Sequence, residues 1–286
     1  MSETQVKPKR IAIQGGYGAF HEIAAYKYFK DDTIEIVPRN TFKDLFSALI
    51  KGKVDYGITA IENSLAGSIL PNYSLLLESK MKIIGEIFLR IRQNLVALPG
   101  QKITDIKEVY SHPMALLQCQ TFFDDYPDIK LIDSIDTALS AKKIAEEKTA
   151  GIAAIASDLA ARKYNLEIIA RAIETNKNNY TRFLILEDKC DEFFTDKNVN
   201  KASISFDLAH KIGSLSKILS IFSYHEINLS KIQSMPIIGK DWEYQFYIDV
   251  EFDDYAMYQQ SLKAVGPFTS SLHILGEFYK GEVYID

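Results

Sequence analysis

The sequence predicts an α/β protein followed by a smaller, differently ordered domain, and three observations carry that reading. Strand-like and helix-like runs alternate from Ile11 onward, the pattern of sheets covered by helices. The stretch 188–200, D-K-C-D-E-F-F-T-D-K-N-V-N, then interrupts them with charges and no apolar period, as a domain boundary does. Beyond it the runs fall in the order βαββαβ.

In chain order, residues 10–14 read as a strand, 20–29 as a helix, 34–37 as a strand and 42–50 as a helix. In the last of these Phe42, Leu45, Phe46, Leu49 and Ile50 recur at i, i+3, i+4, i+7 and i+8, the spacing of one buried helical face. Further strands are expected over 56–61, 82–89, 95–98, 130–132, 151–155 and 183–186. Helices are expected over 113–123 and 137–147, the second capped by Asp136. The alternation predicts a mostly parallel sheet system over 10–188. In the C-terminal part, 201–280, strands over 202–208, 227–235, 243–252 and 271–278 and helices over 214–224 and 255–265 make the ferredoxin-like split.

With 286 residues, 47% of them hydrophobic, the chain buries one or two substantial cores. Lys and Arg number 33 against 38 Asp and Glu, and the net charge of −5, with no basic stripe, argues against nucleic acid as a partner. No apolar run approaches a membrane span and residues 1–10 are polar, so a cytoplasmic protein is expected. Cys119 and Cys190 are too few for a disulfide framework and are expected as thiols, Cys119 as a small core residue on a helix. The five histidines show no metal-ligand spacing, so no metal is expected.

Three polar clusters sit where one kind of run gives way to another. Asn179-Tyr180-Thr181-Arg182-Phe183 places a hydroxyl beside a fixed cation at the head of an apolar strand. Ile61-Glu62-Asn63-Ser64-Leu65-Ala66-Gly67 and Ser111-His112-Pro113-Met114-Ala115-Leu116-Leu117-Gln118-Cys119 are the other two. Taken singly, each has a structural reading: Asn63 and Ser64 suit a helix cap, and Ser111-His112-Pro113 a cap with proline in the first turn. Together they are candidates to converge on one cleft. Gly15-Gly16-Tyr17-Gly18 follows the first strand, but counting G-x-G-x-x-G from Gly16 puts His21 where the third glycine belongs, and no lysine supports a phosphate-binding loop. What remains is a tight turn at a helix N-terminus, either structural or suited to a carboxylate.

In order and spacing these segments resemble prephenate dehydratase with a C-terminal ACT regulatory domain, over nearly the whole chain. The family's G-P-x-G-T-F-S-E loop is matched by Gly15 to Glu22, I-E-N-S-x-x-G by Ile61 to Gly67, and S-H-P-x-x-x-x-Q-C by Ser111 to Cys119. Its S-T-A falls at Asp136-Thr137-Ala138, A-A-I-A-S at Ala153 to Ser157, and N-x-T-R-F at Asn179 to Phe183. Ala19 and His21 depart from the family's Thr and Ser, removing two hydroxyls from the first loop.

The resemblance implies a two-lobed catalytic domain of the periplasmic-binding-protein type (type II), with one lobe from about 10–89 and 165–188 and the other from about 90–164. It implies cofactor-free loss of carbon dioxide and water from prephenate. Thr181, Asn63, Ser111 and Gln118 are the catalytic residues implied, with Arg182, Phe183, Ser64, Glu62 and Gly18 binding substrate. Arg182 either anchors a carboxylate or braces the loop. For the ACT domain it implies phenylalanine as an allosteric inhibitor, held by Gly213, Ser214, Leu215, Gln233 and Ser234 between the subunits of a homodimer or homotetramer. Gln233 and Met235 stand where the family has Glu and Arg. Arogenate dehydratase is the near alternative, and a non-catalytic amino-acid sensor or solute-binding protein the distant one.

Overall fold

Ile11, Ala12 and Ile13 lie wholly inside the protein, as a central strand with both faces covered requires. In the computed structural model, which describes residues 7–30, 32–188, 198–237, 239–240 and 242–285, that run is β1 (Lys9–Gln14). After it come α1 (Phe20–Tyr28), β2 (Ile34–Arg39), α2 (Phe42–Ile50), β3 (Tyr56–Asn63), β4 (Gly67–Ser68), α3 (Leu70–Ser79) and β5 (Lys82–Arg90). The chain continues through β6 (Asn94–Ala97), β7 (Glu108–Ser111), α4 (Pro113–Gln118), α5 (Gln120–Phe123), β8 (Lys130–Asp133), α6 (Thr137–Glu147), β9 (Ile152–Ala156), α7 (Asp158–Lys163), β10 (Glu167–Ala170) and β11 (Tyr180–Glu187). The rest is β12 (Lys201–Leu208), α8 (Ser214–Tyr224), β13 (Asn228–Pro236), β14 (Tyr244–Glu251), α9 (Tyr255–Val265), β15 (Ser271–Phe278) and β16 (Val283–Tyr284).

Two units divide the chain. The first holds Met1–Gly67, Ile87–Phe183 and Val283–Asp286, the second Ser68–Glu86 and Leu184–Glu282. The first is built on two sheets. One runs β16-β5-β11-β3-β1-β2 with β4 against β3, and β1 pairs in parallel with both β2 and β3. The other runs β10-β6-β9-β7-β8. Its side chains alternate as the pleat demands: Leu95, Ala97, Val109 and Ile155 pack with α4 and α5, while Val96, Ala154 and Ala156 pack with α6 and α7.

Four expectations need correction. The second sheet is mixed, since β6 runs antiparallel to β9 and to β10 while β7 is parallel to β8 and β9. The chain enters through β6 and leaves through β10, and these two run against each other at one edge. Residues 165–170, expected in the first lobe, belong to the second: Ile168 pairs with Val96, and Leu166 fills the same core as Ala154. The helix expected over 113–123 breaks at Cys119, whose backbone leaves helical geometry while its side chain is fully buried. The last strand opens at Tyr180 rather than Phe183, so Thr181 and Arg182 lie inside the ladder. Residues 189–197, including Cys190, fall outside the described residues.

In the second unit β12, α8, β13, β14, α9 and β15 follow in that order, and the antiparallel sheet runs β13-β14-β12-β15, the ferredoxin-like arrangement. Ala202, Ile204, Phe206, Ile218, Phe222, Val250 and Tyr258 form its core. This unit also holds α3 and the first half of β5, whose helix was not legible: its apolar face is narrow, with Asn72, Tyr73 and Leu76 its buried residues. Tyr73 packs on Tyr247, ring centroids 5.0 Å apart, and Lys231 Nζ donates to Ser68 Oγ at 2.8 Å. Gly276 abuts Ile83 so closely that a Cβ there would fall 2.0 Å from the Ile83 carbonyl oxygen, which leaves room for no other residue. Here too Lys201 Nζ lies 2.8 Å from Glu86 and 3.4 Å from Glu251, with Glu86 wholly buried and Lys201 3% exposed.

Candidate active site

The three polar clusters do converge, all within the first unit. Asn63 ends β3, and its side chain is held at both ends. Its Oδ1 accepts from the backbone N–H groups of Leu65 and Ala66 at 3.0 and 2.9 Å, which turns the chain. The Nδ2 group then points at β11, donating to Asn179 Oδ1 at 2.8 Å, to the Tyr180 carbonyl at 3.1 Å and to Thr181 Oγ1 at 3.0 Å. Asn179 is fully buried and passes the contact on, donating from its Nδ2 to Gln118 Oε1 at 2.9 Å. Thr181, Asn63, Asn179 and Gln118 thus form one neutral network from β3 and β11 of one sheet to α4 beside the other.

The donor inventory of this network is uneven. Asn63 has both polar atoms engaged. Thr181 receives a hydrogen bond from Asn63, and among the described residues its own hydroxyl hydrogen has no acceptor. Gln118 uses Oε1 for Asn179, while its Nε2 makes no hydrogen bond among the described residues. A hydroxyl and an amide NH₂ therefore remain for a ligand.

The other expected site residues are placed differently. Ser111 is fully buried at the end of β7 and donates to the Ile155 carbonyl at 2.8 Å. Ser64 Oγ donates to the Asn178 carbonyl at 3.0 Å and accepts from Tyr180 N–H at 2.9 Å, tying the turn after β3 to β11. Glu62 is half-buried one residue before Asn63. Strand alternation separates Arg182 from its neighbours. Phe183 meets the edge of His21 at 4.9 Å between ring centroids, whereas Arg182, 5% exposed, lies over Phe88 at 5.9 Å.

Of the two readings open for the glycine loop, a structural turn or a carboxylate site, the hydrogen bonds favour the structural one. Gly15 N–H donates to the Arg39 carbonyl at 2.9 Å, Gly16 N–H to Asp136 at 3.4 Å, Gly18 N–H to Glu22 at 2.5 Å and Ala19 N–H to the Gly16 carbonyl at 3.1 Å. Gly18 is instead a packing point. Its φ is +89°, a Cβ would sit 2.6 Å from Ala160 Cα, and its carbonyl accepts from Ser157 Oγ at 2.6 Å. Glu22, wholly buried, also pairs with Lys163 at 2.8 Å.

His21 fills the place of the missing hydroxyl with a neutral ring. Its Nε2 accepts from Ala60 N–H at 3.3 Å, and burial lowers its pKa to about 3. Asp136 caps α6 by accepting from Leu139 N–H at 2.8 Å, and burial raises its pKa. Sequence reasoning gave Asn179 no role, although it opens the same pentapeptide as Thr181; its bond to Asn63 spans 116 positions and is invisible to local spacing.

Amide and hydroxyl side chains from elements of both sheets meet in one network, a constellation suited to a small polar ligand. The family model for prephenate dehydratase matches residues 11–191. A curated relative, arogenate dehydratase/prephenate dehydratase 2 of the chloroplast of Arabidopsis thaliana, is 38% identical, with 94% of this chain and 72% of the relative covered. Among solved structures, the prephenate dehydratase of Arthrobacter aurescens in complex with L-Phe superposes with a TM-score of 0.84 at 25% identity, over 95% of this chain and 90% of that one. GqqA, described as a novel type of quorum quenching acylase, superposes with a TM-score of 0.85 at 27% identity, over 95% and 98%. The chain belongs to the prephenate dehydratase family. It is a lyase of aromatic amino acid biosynthesis.

Proposed function

We propose that the protein converts prephenate to phenylpyruvate, water and carbon dioxide, with Thr181 as the hydrogen-bond donor to the departing hydroxyl. The C–C bond to the ring carboxylate breaks, its electron pair moves through the diene, and the C–O bond at C4 breaks as the ring becomes aromatic. Hydroxide is a poor leaving group, so the protein's task is to give that oxygen a proton or a hydrogen bond. The observation that carries the reading is the Asn63 contact: by donating to Thr181 Oγ1 it occupies a lone pair, and the hydroxyl hydrogen, without an acceptor among the described residues, is left for the substrate. Such help contributes about 10² to 10⁴-fold. Gln118 Nε2 is the carboxylate donor, and Asn179 sets its orientation. Ser111 and Ser64 position strands, and Arg182 braces β11 from the face opposite Thr181.

The test is to incubate purified protein with prephenate and with arogenate separately, following phenylpyruvate and phenylalanine. Phenylpyruvate from prephenate is expected; neither product would sink the assignment and favour a binding protein. Arogenate is the second reading, favoured by the names of the plant relatives at 38% identity. GqqA marks that the same fold serves another activity, since function resides in the site.

The C-terminal βαββαβ unit is proposed as an ACT domain at which phenylalanine inhibits, in a homodimer or homotetramer acting in the cytoplasm. Gly213, in left-handed backbone at φ +79°, precedes α8 and leaves close approach open at Ser214 and Leu215. Gln233 and Ser234 lie on edge strand β13, whose residues alternate between exposed and half-buried. The Arthrobacter relative was solved with L-Phe. Calorimetry with phenylalanine tests this, and no heat of binding would overturn it.

A further inference from the structure

A cavity of about 350 Å³ opens in the first unit between α1, α7 and the end of β5. None of Asn63, Ser111, Gln118, Asn179 and Thr181 lines it. Its floor is apolar, from Phe20, Ile23, Leu89 and Leu159. Around it stand four cations: Lys27, Arg90, Arg92 and Arg162. One carboxylate, Asp158, also lines it, and it is already answered by Arg171 at 3.1 Å and by Asn94 Nδ2 at 2.6 Å. Arg90 has one carboxylate near, Glu174 at 3.9 Å, and Arg162 is exposed and pairs with none among the described residues.

A cavity of this size, with an apolar floor and convergent charges around it, has the make-up of a small-molecule site. The excess of guanidinium groups selects the ligand's charge, because their forked donors match a carboxylate. The floor selects its body, which has to be apolar to cover Phe20, Ile23, Leu89 and Leu159. We propose that this cavity is a second binding site, for a small arylalkyl carboxylate. It does not depend on which dehydratase reaction the Thr181 site performs. The strand that floors it leads into Ile91, whose N–H donates to the Asn179 carbonyl at 2.7 Å, so an occupant bears on the segment that carries the catalytic network.

The experiment uses 3-phenylpropanoate as probe, with 2-phenylethanol as its neutral counterpart, in calorimetric titrations of the whole chain. Saturable binding of the carboxylate is expected, with the alcohol at least about tenfold weaker. Arg162→Glu and Leu159→Trp, checked for folding by circular dichroism, should each weaken the carboxylate by about tenfold or more. Thr181→Ala and Gly213→Val should bind it as the natural chain does. No saturable binding overturns the proposal. So does binding untouched by the first two variants, or binding abolished by Thr181→Ala, which places the probe in the catalytic network, or by Gly213→Val, which places it in the C-terminal unit.

Discussion

Two polar clusters in this protein are built on opposite principles. In the first unit Asn63, Asn179, Gln118 and Thr181 are neutral, linked by bonds of 2.8 to 3.0 Å, and leave two donors over. In the second unit Glu86, Lys201, Glu251 and Lys280 are charged and closed on themselves. Lys201 lies between Glu86 and Glu251, Lys280 meets Glu251 at 2.8 Å, and Gly281 N–H meets Glu86 at 3.1 Å. Charges as buried as Glu86 and Lys201 are tolerated only when their lone pairs and protons are answered. A neutral amide costs less to leave part-satisfied, so it can hold a donor in reserve for a substrate. The difference is the one expected if the first cluster serves the proposed chemistry and the second holds the fold.

The sharpest way to break that contrast is Thr181→Ala. It should lower turnover by about 10²-fold or more while thermal unfolding stays where it was. Near-normal turnover would remove Thr181 from the chemistry. Glu86→Ala should do the reverse, costing about 3–5 kcal/mol in urea titration because the buried Lys201 loses its 2.8 Å carboxylate partner, with turnover per folded molecule unchanged. A loss under about 1 kcal/mol would mean that the cluster is not closed as described.

A third test uses His21, whose folded pKa of about 3 lies below the unfolded value of 6.5. Between those values the unfolded chain binds the extra proton, so stability is complete above pH 6.5 and falls as the pH drops toward 3. The loss at pH 5 should be about 2 kcal/mol relative to pH 7.5, and His21→Gln should flatten that part of the curve. The smallest effect is expected at Cys119, where burial, with the Glu174 carboxylate adding to it, pushes the thiol up to about 12. Its peptide should stay unmodified by iodoacetamide at pH 8 until the chain unfolds, as mass spectrometry can follow.

Much of the architecture is legible from local signals. The heptad-like spacing of Phe42, Leu45, Phe46 and Leu49 marks α2, and Asp136 marks the start of α6; both are found where the spacing puts them. The pentapeptide ending in Phe183 points to Thr181 for the same reason, that a polar pair heading an apolar strand needs a partner. Helix α3 was not legible because its apolar face is narrow, and β10 because whether 167–170 joins one sheet or the other depends on Val96, more than seventy residues away.

By itself the sequence determined the type of most elements, the βαββαβ order of the C-terminal part and the set of polar segments by which the family is recognised, since periodicity and capping are local. Only the tertiary structure decided which of those polar groups stay available. Gly18, Ser64 and Ser111 are taken up by Glu22, Asn178 and Ile155, whereas Thr181 and Gln118 each keep a donor. Hydrogen-bond satisfaction is settled by partners that meet only when the chain is folded, and local spacing carries no record of them.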